Sequence, residues 1–176
     1  MKMTHYQDIV GFFDFEVVYD HLLSTIPRGG VFLEGGAAWG KSSAYLCDHA
    51  VELGVIVKIV ECWTQPELFG WDKDVAFAKF TENMAGREYH LIRDFSVEAS
   101  KTIEDGSLDV MFIDMNHNYE FVRDDIAHWL PKVKSGGIIG GHDYSQSFPG
   151  VIQAVDEAFG NEVTVMNDIC WIHNKE

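Results

Sequence analysis

The sequence predicts a doubly wound α/β fold: a Rossmann-like seven-stranded sheet, mostly parallel, with one antiparallel strand near the C-terminus. Three observations predict it. From residue 30 onward short apolar runs alternate with segments of helical periodicity. One run, residues 108–114, is nearly all apolar, as a strand covered on both faces must be. The last two runs are separated only by Asn167 and Asp168, which suits a hairpin and so an antiparallel strand at the end.

The elements follow in order. Residues 14–26 place Phe15, Val18, Leu22 and Ile26 at helical spacing, and Pro27 with the glycines after it ends that helix. The apolar run from Gly30 to the glycines at 35 and 36 predicts the first strand, and residues 41–53 a helix closed by Gly54. The alternation continues with a strand at 55–60, helix 74–84, strand 88–92, helix 97–103 and strand 108–114. Helix 119–130, strand 137–140, helix 151–159 and the pair 163–166 and 169–173 complete the sheet. The functional loops of such a sheet lie at the carboxyl ends of its strands.

No Ser/Gly-rich linker, repeat or low-complexity tract divides the 176 residues, and the four prolines are scattered, so residues 1–176 read as one domain: an N-terminal helical segment, 1–28, and a core, 29–176. With 28 acidic and 13 basic side chains the formal net charge is −15, which repels a phosphate backbone or an anionic membrane and argues against nucleic-acid and membrane partners. The odd set Cys47, Cys62 and Cys170 has no CxxC spacing, and the N-terminus shows no basic-then-apolar leader. A reducing cytoplasm is the expected location.

Residues 35–42, Gly-Gly-Ala-Ala-Trp-Gly-Lys-Ser, satisfy the phosphate-loop pattern of nucleotide triphosphatases, with Lys41 and Ser42 in the functional places and Asp114 as a magnesium-binding acid. Against this, Ala37, Ala38 and the bulky Trp39 fill the loop interior, Glu34 puts negative charge beside it, and the chain has only four arginines. The alternative is an acidic-glycine turn that lets the backbone approach a nucleoside, with Glu61 at the end of the next strand, where an acid takes ribose hydroxyls in dinucleotide folds. Gly35, Gly36 and Gly40 do not match the dinucleotide spacing, so the loop alone leaves both readings open.

Further motifs bear on the choice. They are Val60-Glu-Cys-Trp-Thr, then Asp114-Met-Asn-His-Asn-Tyr, then Asp125-Ile-Ala-His-Trp-Leu-Pro-Lys-Val-Lys-Ser-Gly-Gly running on to His142-Asp-Tyr. Together with the glycine loop they resemble class I S-adenosylmethionine-dependent methyltransferases, in the compact branch with Asp-x-x-His-x-Tyr and Gly-Gly-x-x-x-x-His-Asp-Tyr, over residues 30–159. The resemblance implies S-adenosylmethionine as cofactor. Glu34, Gly36 and Gly40 would surround its methionine part, with Gly35 and Ser42 beside them; Glu61 would take the ribose hydroxyls, and Trp63, next to Cys62, would cover the adenine. Similar proteins carry Gly-Asp-Ser after the third strand, whereas this chain has Asp94-Phe-Ser, so Phe95 packing on the ring stands beside Asp94 as the adenine contact.

The resemblance also places catalytic groups. Asp114 ends the fourth strand, and His142 and Asp143 end the fifth; these three form the expected ligand set for magnesium or another divalent cation that would lower the pKa of an acceptor hydroxyl. His117, three residues after Asp114, is the expected general base, and Tyr119 and Tyr144 the shapers of the acceptor pocket. The implied activity is O-methylation of a small molecule or sugar at a shallow site, completed by a second subunit if the chain forms a homodimer. A triphosphatase or kinase acting through residues 35–42, and a cofactor-binding interaction module that has lost catalysis, are the competing readings.

Overall fold

The computed structural model describes residues 3–63 and 72–176; Thr64, the last residue of the Val60-Glu-Cys-Trp-Thr motif, lies outside these ranges. In chain order the helices are α1 (Glu16–Thr25), α2 (Lys41–Leu53), α3 (Lys73–Asn83), α4 (Ser96–Ser100), α5 (Tyr119–Trp129) and α6 (Pro149–Phe159). The strands are β1 (Val31–Gly35), β2 (Ile56–Val60), β3 (His90–Ile92), β4 (Leu108–Ile113), β5 (Val133–Gly141), β6 (Thr164–Met166) and β7 (Cys170–Asn174). They form one seven-stranded sheet in the order β3-β2-β1-β4-β5-β7-β6. β7 runs antiparallel to both its neighbours, and the pairings among β1 to β5 are parallel. The predicted fold is the observed one.

Local chemistry explains the boundaries. α2 is bracketed by Gly40 and Gly54, both left-handed, and the Gly54 amide closes the helix on the carbonyls of Ala50 and Val51. Asn167 and Asp168 both take positive φ in the three-residue connection between β6 and β7, where the Ile169 amide donates to the Met166 carbonyl. The sequence reading missed most of β5. The expected strand starts at Gly137, yet strand pairing begins at Val133, and a register shift between Leu108 and Val110 absorbs the extra residues, with Gly136 at φ 78°. Asp109, inside the apolar β4, accepts from the Val31 amide and from Lys134 Nζ, both at 2.7 Å, and so ties β1 and β5 to the central strand.

Two cores flank the sheet. On one side α1, α2 and α3 bury Phe15, Tyr19, Leu22, Leu46 and Phe80 against Phe32, Ile59 and Phe112. On the other α4, α5 and α6 bury Ala99, Ile126, Trp129 and Val155 against Leu33, Met111 and Ile139. Alternate residues of each strand therefore serve opposite cores, which is why β4 reads as continuously apolar. No described helix is long and apolar enough to cross a membrane.

Asp125 is buried in the second core, hydrogen-bonded to Ser96, whose Oγ also accepts from Trp129 Nε1 at 2.8 Å. Burial pushes the Asp125 carboxyl up to about 7 despite the Ser96 hydrogen bond. Its folded form thus holds a proton that the unfolded chain loses above roughly pH 4, so this contribution to stability is complete below that pH and gone above about pH 7. The melting temperature should fall as the pH is raised from 5 to 7.5, and in Asp125→Asn that fall should be smaller, checked by thermal melts across this range.

Candidate active site

β1, β2, β4 and β5 end at one edge of the sheet, and their loops carry the residues singled out in the sequence. The chain changes direction between β1 and β4, the place where open α/β sheets bind ligands. There the two loops touch: the Asp114 amide donates to the Gly35 carbonyl at 2.7 Å, and Gly36, at φ 92°, lies so close that a Cβ would come within 1.8 Å of the Asp114 carbonyl oxygen.

Each predicted cofactor residue has a definite place. Glu34 is fully buried beneath the loop; Tyr19 Oη donates to its Oε1 at 2.7 Å and Ser43 Oγ donates to Oε2, with Ser42 also hydrogen-bonded to the carboxylate. Burial outweighs these three hydroxyls and pushes the Glu34 carboxyl up to about 7. Glu61 reaches across from the end of β2. Its Oε2 accepts from the amides of Ala37 and Ala38 at 3.0 and 3.1 Å, and its Oε1 from those of Cys62 and Trp63, both at 2.8 Å. One carboxylate therefore fills the amide nest of the glycine loop, and this is the strongest argument against a phosphate cradle, because an anion already belonging to the chain holds those donors. Lys41 points away from the loop and donates to the Gly11 carbonyl at 3.2 Å.

Trp63 does not stand open at the adenine position. It is buried, donates through Nε1 to the Ala38 carbonyl at 2.7 Å and packs on Phe77 and Phe80. Phe95 presents an exposed aromatic ring, 58% accessible at the start of α4, beside Asp94, whose Oδ1 caps the Phe95 amide at 2.8 Å.

Beyond β4 and β5 lies a cluster of acids and imidazoles. His117 Nε2 stands 2.8 Å from Asp143 Oδ2 and 3.7 Å from Asp114 Oδ1, while His142 Nδ1 stands 3.3 Å from Asp143 Oδ1 and 3.8 Å from Asp114 Oδ1. Burial lowers the pKa of both imidazoles, but the two carboxylates outweigh it, lifting His117 to about 9 and raising His142; the same contacts hold Asp143 well below the usual carboxylate range despite its burial. Asp114, His117 and Asp143 each offer a ligand atom within 4.8 Å of the others. His117 Nε2 lies within ion-pair distance of Asp143 without a well-aligned hydrogen bond, so with its proton removed it would face the carboxylates as a further electron-pair donor. This donor set fits a divalent cation, whose entry would displace the His117 proton.

The predicted ligand set was Asp114, His142 and Asp143; the structure groups His117 with the two acids and stacks His142 on Phe15 at 4.4 Å. Tyr119 and Tyr144 hydrogen-bond to Glu157 and Asp156 of α6, both at 2.6 Å. Sequence reasoning missed Phe15, which covers His142, and Phe148, whose ring lies 4.6 Å from His117; an isolated phenylalanine carries no sequence signal of this kind.

A family model described as a methyltransferase domain matches residues 33–144, from β1 to just beyond β5. A curated protein of Sinorhizobium fredii, uncharacterized protein y4gI, is 36% identical over 53 residues, which is 30% of this chain and 6% of the length of that protein. Among solved structures the chain resembles a Staphylococcus aureus protein assigned as a caffeoyl-CoA O-methyltransferase (TM-score 0.69, 14% identity, 97% of this chain and 87% of that one). It also resembles a Streptococcus mutans protein in complex with SAH (TM-score 0.64, 15% identity, 95% and 100%) and an rRNA methylase from Streptococcus thermophilus (TM-score 0.66, 13% identity, 95% and 99%). At these identities the structures share the fold.

The contact between the β1 and β4 loops yields a direct test. Gly36→Ala adds the strain of a positive φ, about 1–3 kcal/mol, to a collision with the Asp114 carbonyl. The variant should melt several degrees lower than the parent, whereas Gly106→Ala, where a Cβ meets nothing within 4 Å, carries the φ cost alone.

Proposed function

This chain belongs to the methyltransferase-domain family, and from that premise we propose that it transfers a methyl group from S-adenosylmethionine to a hydroxyl of a small molecule, with a divalent cation assisting. The observation that carries the proposal is the double role of Asp114. Its backbone closes on the glycine loop at Gly35 and Gly36, and its side chain faces His117 and the Asp143 carboxylate, so a methyl donor on the loop and an acceptor at the cluster would be neighbours.

The residues at the first site suit the cofactor. Gly36 and Gly40 take positive φ and let the loop close on Asp114 and on Phe80 and Met84, Glu61 offers a carboxylate for paired hydroxyls, and Asp94 and the exposed Phe95 offer a polar group and a flat face for a purine. Glu61 must release some of its four amide bonds to receive a ribose, and Cys62 and Trp63 are tied to that exchange. Glu34, Ser42 and Ser43 hold the loop from below. When bound, S-adenosylmethionine supplies a methyl on a positively charged sulfur, which keeps the bonding electron pair as the acceptor oxygen takes the methyl.

At the second site Asp114, Asp143 and His117 would hold the cation, with His142 packed behind them. A cation there supplies a lower pKa to a hydroxyl that approaches it. Without a cation His117 is placed to accept the hydroxyl proton only after it has given up the proton that both carboxylates hold on it near neutral pH. The residues chiefly orient and desolvate, since aligning nucleophile and methyl is most of what such a displacement requires. The charge of −15 supports a small acceptor over a nucleic acid, and the odd cysteine count supports a cytoplasmic location.

Isothermal titration with SAH should show binding, weakened at least tenfold in Glu61→Ala and unchanged in Lys41→Ala, while ATP with magnesium should not bind. Binding of ATP but not SAH would overturn the proposal. With an acceptor in hand, EDTA or Asp143→Ala should slow turnover about a hundredfold. Full turnover in EDTA would remove the cation and leave His117 as the proton acceptor, and full turnover in His117→Ala would remove that residue from both roles.

A further inference from the structure

α1 lies ahead of residues 33–144, the stretch that the methyltransferase-domain model matches, yet it reaches the glycine loop. The contact is made by Tyr19, which is 1% accessible. Its ring packs among Phe13, Phe15, Phe32 and Phe112, with centroids between 5.1 and 5.5 Å away. Its Oη donates to Glu34 Oε1 at 2.7 Å, and among the described residues this hydroxyl has no other hydrogen bond. A phenylalanine would pack as well in that aromatic group, so the hydroxyl itself asks for an explanation.

Glu34 carries that bond to the loop. It stands next to the end of β1, and its second oxygen accepts from Ser43 Oγ in the first turn of α2, where Ser42 is hydrogen-bonded to the same carboxylate. Gly40 has no side chain with which to cap α2, so Glu34 ties the start of that helix back to β1. Residues 35–42 thus run between two points that one carboxylate joins. Glu61 holds the same loop through the amides of Ala37 and Ala38, but it must release some of its bonds to receive a ribose. Glu34 is fully buried and gives one oxygen to each flanking helix, so it keeps its partners when Glu61 changes its own. Without the Tyr19 hydroxyl, Glu34 Oε1 would be buried with no donor, and the carboxylate could regain one only by turning away from Ser43.

We infer that Tyr19 is a positioning residue for the glycine loop, acting through Glu34: it fixes one carboxylate oxygen so that the other holds Ser43 and with it the far end of the loop. Neither side chain touches the cofactor. Glu34, which the resemblance puts around the methionine part, acts instead from beneath the loop, and a helix outside the matched stretch sets the loop's shape. The effect on cofactor affinity rests on the methyl-transfer reading; the hold on the loop does not.

The test separates the two. Backbone-amide hydrogen exchange and SAH affinity are measured for the wild type, Tyr19→Phe and Glu34→Gln, with the amides of α6 reporting the stability of the rest of the molecule. In Tyr19→Phe, which keeps the ring, the amides of Gly36, Ala37, Ala38 and Gly40 should exchange about tenfold faster, a larger factor than in α6, and SAH should bind about fivefold more weakly. Glu34→Gln can still accept from one hydroxyl and donate to the other, so it should disturb both readings less than Tyr19→Phe does. Loop amides that accelerate no more than those of α6 overturn the inference, as does unchanged SAH affinity in Tyr19→Phe. So does a loss of SAH affinity larger in Glu34→Gln than in Tyr19→Phe, which would make the Glu34 charge a direct cofactor contact. A wild type that binds no SAH would remove the methyl-transfer reading, and the exchange rates alone would then decide whether Tyr19 holds the loop.

Discussion

The site depends on the contact between the loops that follow β1 and β4. Gly35 accepts from the Asp114 amide, and Gly36 presents a bare Cα to the Asp114 carbonyl. A side chain at position 36 would push the loops apart. With glycine there, the loop after β1 and the strand end that begins the acid–imidazole cluster form one surface. The strand order places β1 beside β4, and the glycine turns that adjacency into contact.

Carboxylates do much of the remaining work, and their different environments separate their tasks. Glu34 is enclosed beneath the loop with Tyr19 and Ser43, and burial raises its pKa. Glu61 ties the loops after β1 and β2 through four backbone amides. Asp143 lies between two imidazoles that hold it ionised. A chain with so many acids thus uses some of them to organise its binding edge, each balanced by hydroxyls, amides or imidazoles, because an unpaired buried charge is costly.

The same edge is aromatic where it meets the cluster. Phe15 and Phe148 pack on the imidazoles and shield in part groups whose interactions strengthen as the local dielectric falls. The segment ahead of α1 belongs to this arrangement through Phe15, which stacks on His142.

Much of this was legible in the sequence. Strand and helix periodicity gave the doubly wound sheet, the Asn167 and Asp168 pair gave the hairpin, and Gly54 gave the end of α2, because these signals are local and depend on backbone conformations that few residues tolerate. The motif residues Glu34, Gly36, Glu61, Asp114, His117 and Asp143 also stand out in the sequence, and the structure brings them to one edge of the sheet. What remained hidden was pairing. No local pattern shows that Glu61 turns back onto the loop after β1, that Trp63 is buried, that His117 takes its place between Asp114 and Asp143, or that Lys134-Ser-Gly-Gly is strand. Each of these is settled by a partner between 20 and 30 residues away in the chain, and only packing the two cores against the sheet brings those partners within hydrogen-bond reach.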